Sequence, residues 1–208
     1  MISSKKTHEY VEYHEIIECI SSALDAKDPN TANHSQRVSD MALIICRLMG
    51  FKEADIEKIH IAAHLHDIGK IGVPDHILNK TTKLNEVEWE LIKRHPVTGS
   101  NILNKSSKLS ELSIIVRHHH ERYDGKGYPD GLKGVEIPVG ARIIAICDSI
   151  DAITHNRCYR NARDINFCYK EIEKNLGLMY DPMIGNFVLE NWGIITASNN
   201  IFIDNYSQ

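Results

Sequence analysis

Imidazole and carboxylate side chains recur along this chain in a pattern suited to holding metal ions. His66 and Asp67 are adjacent, His34 precedes them, and His95, the run His118-His119-His120 and Asp148 follow. Histidine and aspartate without paired cysteines make up catalytic sites for divalent iron, manganese or zinc. An aspartate beside a histidine can bridge two ions through its two oxygens, and ions about 3.5–4 Å apart stabilise attack and departure at a phosphorus centre. Lys70, three residues after Asp67, adds a point charge for a phosphate oxygen. These residue types point to a metallohydrolase.

Helix geometry restricts which of them can meet. Neighbours on a helix differ by about 100° in direction, so His66 and Asp67 converge only if the helix ends or bends there, and Gly69 is expected to supply that end. Three consecutive histidines sweep about 200°, so His119 and His120 are placed at the site and His118 in a structural or solvated role. Asp148 follows the apolar run Ile143-Ile144-Ala145-Ile146-Cys147. A lone carboxylate there would be costly to desolvate, and a metal, an ion pair with Arg142 or a buried hydrogen bond would offset it. His60 and His64 stand four apart like a zinc helix, but His-Ile-Ala-Ala-His lacks the glutamate of a metalloprotease motif. His64 is also about 200° round the helix from His66, so both are read as structural or surface residues. Arg157 and Arg160, three apart, could form a fork for an anion.

The elements that must position these groups carry a helical period. Val38, Met41, Ala42, Ile45, Leu48 and Met49 recur at steps of three and four between His34 and a C-capping Gly50. Val11 to Leu24 predicts an earlier helix stopped at Asp28-Pro29. Glu53 to Leu65 predicts a third, with Ile56, Ile59, Ala63 and His60 turned inward, and further helices are expected over Glu86–Arg94, Leu109–His119, Val139–Thr154, Ile165–Asn175 and Met183–Trp192. His95 is placed at a helix end, just before Pro96. Glycines and prolines between Glu121 and Gly140 forbid a long helix, and the interleaved Tyr123, Tyr128, Leu132, Val135 and Ile137 predict a loop that packs down. The fold class is all-α, a single-domain helical bundle over residues 10–198, with frayed ends at 1–9 and 199–208.

Composition agrees with that picture. The 208 residues suffice for one domain with its own core. Five scattered cysteines, without a Cys-x-x-Cys pair, suggest neither a disulfide framework nor a thiolate zinc knot. A net charge of −4 argues against a nucleic-acid polymer as partner. No signal-peptide pattern opens the sequence and no apolar run approaches the roughly 20 residues that span a bilayer. A cytoplasmic protein with no membrane partner is expected.

Two strings, His66-Asp67-Ile68-Gly69-Lys70 and His119-His120-Glu121-Arg122-Tyr123-Asp124-Gly125-Lys126-Gly127-Tyr128-Pro129, resemble the HD-GYP subgroup of HD-domain phosphohydrolases. The resemblance runs from about Asp28 to Pro182. It implies an HD-type helical bundle, two or three ions of iron or manganese, and hydrolysis of cyclic di-GMP by a metal-activated hydroxide to the linear dinucleotide and then GMP. Carried over by position, it implies metal ligands at His34, His66, Asp67, His95, His119, His120 and Asp148, with Asp67 bridging. It gives Lys70 a contact with the scissile phosphate or its nucleophile, Gly127, Tyr128 and Pro129 the shaping of the substrate pocket, and Arg157 and Arg160 the other phosphate. Asn30 stands where members with a third ion have glutamate, so two ions are expected, and Cys158 stands where proline often separates the arginines. With no receiver or sensory segment in view, regulation is expected from a second copy, a separate protein or metal supply. The alternatives are an HD phosphohydrolase for other nucleotides or cyclic dinucleotides, for which the glycine-tyrosine-proline loop has no explanation, and a non-catalytic cyclic-dinucleotide sensor, which the intact Lys70 and ligands disfavour.

Overall fold

The three-to-four spacing of apolar residues is realised as helix throughout. The computed structural model describes residues 2–28, 33–156 and 161–200, with the side chains of 14–28, 33–156 and 161–197. Its helices are α1 (Ile2–Lys27), α2 (His34–Leu48), α3 (Glu53–Leu65), α4 (Asp75–Leu78), α5 (Glu86–Ile92), α6 (His95–Leu103), α7 (Ser113–Arg117), α8 (Val139–Thr154), α9 (Ile165–Lys174), α10 (Pro182–Glu190) and α11 (Trp192–Asn200). Short 3-10 turns lie at Ile68–Gly72, Ser110–Leu112 and Gly134–Glu136, and there is no strand among the described residues. The all-α expectation holds. No helix among these residues is long and apolar enough to cross a membrane, and Cys19, Cys46, Cys147 and Cys168 are free thiols.

α2 is the spine, packed along α3 on one side and α8 on the other. Val38, Met41, Ala42 and Ile45 of α2 and Ile143, Ile144, Ile146 and Ile150 of α8 are fully buried, with Ile59 and Leu65 of α3 beside them. Each such large side chain contributes about 1.5–3 kcal/mol of burial, which makes the three helices a stiff frame for the polar residues they carry. Gly50 ends the α2 segment at φ 73°, the left-handed conformation that the spacing predicts.

Several boundaries differ from expectation, each for a local reason. α3 stops at Leu65, and Asp67 already has φ −95° and ψ 5°, so the break precedes Gly69. Gly69 serves close packing instead. A Cβ there would sit 1.9 Å from the His95 carbonyl oxygen and 2.5 Å from the Gly99 nitrogen. His95 does not end a helix but opens α6, where Pro96 occupies the first turn and needs no N–H partner. α1 begins at Ile2, inside the stretch expected to fray, and α11 extends past Trp192.

The Glu121–Gly140 loop folds back on itself. Glu121, 3% exposed, accepts hydrogen bonds at Oε1 from the Asp130 and Gly131 amides at 2.8 and 3.0 Å. The Tyr123 and Asp124 amides donate to the Met179 and Leu178 carbonyls. Ile137 is buried as expected, whereas Val135 faces solvent at 76% exposure because it lies on the outer side of a 3-10 turn.

Candidate metal centre

The seven residues singled out as ligands come from five places in the chain and converge. α2 supplies His34 at its first position, the end of α3 supplies His66 and Asp67, α6 opens on His95, the turn after α7 carries His119 and His120, and α8 carries Asp148. They form two groups. In one, Asp67, His95, His119 and His120 each offer an atom within 4.8 Å of the others, and in the second His34, His66 and Asp148 do the same. Asp67 reaches both groups with separate oxygens. Its Oδ1 lies 3.2 Å from His95 Nε2, while its Oδ2 lies 3.4 Å from His66 Nε2 and 3.8 Å from His34 Nε2.

The protonation pattern tests whether this donor set suits a cation. His66 Nδ1 donates to the Ala63 carbonyl at 2.7 Å, His95 Nδ1 to Ile92 at 2.8 Å and His119 Nδ1 to Val116 at 2.7 Å. His34 Nδ1 donates to Asp151 Oδ2 at 2.5 Å. With each proton on Nδ1, each Nε2 presents a bare lone pair, as in histidines that ligate metals. Two pairs of these nitrogens face one another at 3.3 Å, His34 against His66 and His95 against His119. A buried acceptor without a donor costs about 1–3 kcal/mol, so four together would remove much of the roughly 5–15 kcal/mol by which a domain is stable. Divalent ions resolve that conflict, and the residues fit them.

Electrostatics favour the ligand forms. Burial pushes His66 down and holds His119 well below the ordinary histidine range, and burial together with His95 takes His120 down to about 3. These three imidazoles are thereby neutral. Desolvation works against the Asp67 charge, but the carboxyl is held well below its usual value, chiefly by Lys70, with Nζ at 2.7 Å.

Structure adds partners that the sequence reading missed. Asp151, 2% exposed, holds His34 Nδ1, pairs with Arg37 and takes a contact from His155 Nδ1 at 3.0 Å. Desolvation opposes its ionisation, yet hydrogen bonds from His155, His34 and Arg37 keep the carboxyl far below the ordinary range. Its signal was present, since Asp151 lies three residues from Asp148 and Arg37 three from His34, each on the same helix face. Asp28, at the end of α1, sits 3.8 Å from Lys70 Nζ, and with Leu24, Asp25 and Ser35 it lines a cleft that opens on Asp67 and Lys70.

The remaining expectations divide. Arg142 does not pair with Asp148; it binds Asp181, the residue that caps α10, and so ties the start of α8 to the start of α10. His118 faces away from the cluster, with Nδ1 on the Ile114 carbonyl and Nε2 on Asp130, both at 2.8 Å. Tyr128 lies over His120 with ring centroids 4.9 Å apart, and Trp89 of α5 and Lys93 just after that helix approach its ring at 6.4 and 5.9 Å. Burial, aided by Asp148 and Asp67, keeps its phenol protonated beyond the usual range. Gly127 packs so closely that a Cβ would meet the Arg122 nitrogen at 2.3 Å, and the Tyr128-Pro129 peptide is cis. Asn30, Arg157, Cys158 and Arg160 lie outside the described residues.

Comparison with known proteins places this arrangement. A family model described as the HD domain matches residues 18–184. A cyclic di-GMP phosphodiesterase of Thermotoga maritima is 40% identical over 172 residues, 82% of this chain and 47% of that protein. The 3'3'-cGAMP-specific phosphodiesterase 3 of Vibrio cholerae is 38% identical over 196 residues, 92% of this chain and 41% of that protein. The crystal structure of a cyclic GMP-AMP specific phosphodiesterase of V. cholerae superposes with a TM-score of 0.68 at 17% identity, covering 90% of this chain and 52% of that one, a likeness of fold. The chain thus spans about half the length, or less, of the curated relatives it matches. By the extent of these matches, the chain belongs to the HD-domain family.

Proposed function

We propose that the chain is a catalytic domain of the HD-GYP subgroup that hydrolyses a cyclic dinucleotide, with cyclic di-GMP as the preferred substrate. The observation that carries this reading is Asp67, whose two oxygens face two separate groups of histidines. His34, His66 and Asp148 would hold one divalent ion and His95, His119 and His120 the other, with Asp67 within reach of both; iron or manganese suits this mix of imidazole and carboxylate. When bound, such a pair of ions supplies an activated water and offsets charge on the phosphate.

The chain's own residues do the rest. Asp151 and the carbonyls of Ala63, Ile92 and Val116 fix the imidazole tautomers in advance, so no reorganisation is needed when substrate arrives. Lys70 brings its ammonium beside Asp67, where charge develops on the reacting phosphate. Asp28, 3.8 Å away, gives that ammonium a second carboxylate neighbour. Tyr128, protonated and stacked against His120, donates into the pocket, and its ring and that of Trp89, itself 45% exposed, offer apolar surface to a nucleobase. Gly127 and Pro129 set the shape of that loop. Arg157 and Arg160 hold the phosphate that is not cleaved, an assignment resting on the sequence resemblance.

A second substrate remains in play because one relative named for 3'3'-cGAMP matches 92% of the chain. An anaerobic assay at defined iron or manganese loading, with chromatographic analysis of products from cyclic di-GMP, 3'3'-cGAMP and cyclic di-AMP, tests the reading. Linear dinucleotide or GMP, formed fastest from cyclic di-GMP, is expected. Faster turnover of 3'3'-cGAMP would reassign the substrate, and no turnover of any of the three by metal-loaded protein would leave the sensor reading.

A further inference from the structure

A second group of histidines converges on the other face of α3. His14 comes from α1 and His60 and His64 from α3. Their ring centroids are 5.2, 5.3 and 4.8 Å apart, and one nitrogen of each lies within 4.8 Å of the others. The HD cluster shows the same spacing, with centroids 5.2 Å apart for both His34–His66 and His95–His119.

Hydrogen bonds again fix where the lone pairs point. His60 Nδ1 donates to the Ser39 carbonyl at 3.1 Å, which leaves its Nε2 bare and 3.0 Å from His14 Nε2. Glu18 Oε1 lies 3.4 Å from His14 Nδ1, the arrangement in which a carboxylate orients a ligating imidazole. The Ser39 hydroxyl donates to the Gln36 carbonyl at 2.8 Å, so its 2.9 Å contact with His64 Nε2 uses the N–H of that ring. His64 Nδ1 is left as an acceptor. His64 is 1% exposed, and this nitrogen has no hydrogen-bond partner. A hydrophobic side chain would fill the space without that cost, so the imidazole calls for a ligand.

We propose that His14, His60 and His64 form a separate site for a divalent metal ion of the zinc class, which fastens α1 to α3. Tetrahedral zinc with Zn–N of about 2.0–2.1 Å sets nitrogens roughly 3.4 Å apart, a spacing these rings reach by small side-chain rotations. Glu18, with its side chain 50% exposed, or a water completes the shell, and the 23% exposure of His14 provides the way in. The consequence reaches the HD cluster, because the far end of α1 carries Asp25 and Asp28 to the cleft beside Lys70. An ion at the first site steadies the wall of the second.

The test compares the full chain with His14→Ala, both stripped with chelator, reloaded with zinc chloride alone and measured by elemental analysis after desalting. The HD cluster is common to both proteins, so the difference isolates this site. One more zinc per chain in the wild type is expected, together with tetrahedral visible bands on cobalt substitution that His14→Ala lacks; equal zinc in the two folded proteins overturns the proposal. A crystal of the wild type loaded with zinc gives an answer that does not depend on how the variant folds. Anomalous density between the three rings supports the site, and its absence at full loading of the HD cluster overturns it.

Discussion

The HD cluster and the His14–His60–His64 group share α3 but not a chemistry. About 200° of helix separates His64 from His66, so one helix serves two sites that share no ligand. The HD cluster mixes imidazoles with Asp67 and Asp148, sets Lys70 at 2.7 Å from Asp67 and borders a cleft. The second group is imidazole alone at its centre, braced by Ser39 and flanked by Glu18. Carboxylates that span two positions, beside a cationic side chain and open to a ligand, suit phosphate chemistry. Three nearly buried imidazoles that join two helices suit a structural ion.

Substitutions can sharpen or break that contrast. The largest effect is expected at Asp67: Asp67→Ala should release both HD ions and abolish hydrolysis, while His34→Ala mainly affects one ion and His14→Ala changes kcat little. Elemental analysis alongside steady-state assays checks this, and a loss of turnover in His14→Ala as deep as in Asp67→Ala would break the separation. Lys70→Ala should lower kcat by about 10²–10³-fold with metal content preserved, because its charge acts on the reacting phosphate. Arg157→Ala and Arg160→Ala should raise KM more than they lower kcat, since contacts to the remote phosphate act in ground and transition states alike.

Stability effects are smaller. Gly69→Ala drives a methyl into the His95 carbonyl and should cost about 1–3 kcal/mol by overpacking, with a weakened second HD ion, as followed by denaturant melts and metal retention. Asp130 gives a milder effect with a defined pH dependence. Its hydrogen bonds from Arg117 and His118 lower its carboxyl to about 2, against the ordinary value of 3.8. A depressed folded-state value stabilises above the unfolded one, so Asp130→Asn should be less stable than wild type at neutral pH. That difference should fade as pH falls from about 4 towards 2. A difference independent of pH across this window would assign the effect to packing rather than charge.

Much of the candidate site is legible in the sequence because ligand chemistry restricts residue type, and the HD and glycine-rich strings carry the resemblance on which its reading rests. Helix ends were less so. Whether His95-Pro96 ends one helix or opens the next depends on what Pro96 packs against, since proline is tolerated in a first turn and excluded from an interior. Gly69 looks like a helix terminator, whereas its need for a missing side chain comes from α6, which is distant in sequence. Asp151 was hidden by the better candidate three residues before it, and Asp28 by its proline neighbour. His60 and His64 read as structural or surface residues until α1 brought His14 against them; both are buried, and only tertiary contact reveals the third ring.

The central claim is that Asp67 holds two ions apart and together. Anomalous diffraction from crystals grown anaerobically with manganese tests it most directly. Two peaks are predicted, one among His34, His66 and Asp148 and one among His95, His119 and His120, each beside a different oxygen of Asp67, and neither should survive in Asp67→Ala. A single peak in the wild type, or two peaks that persist without Asp67, would contradict it.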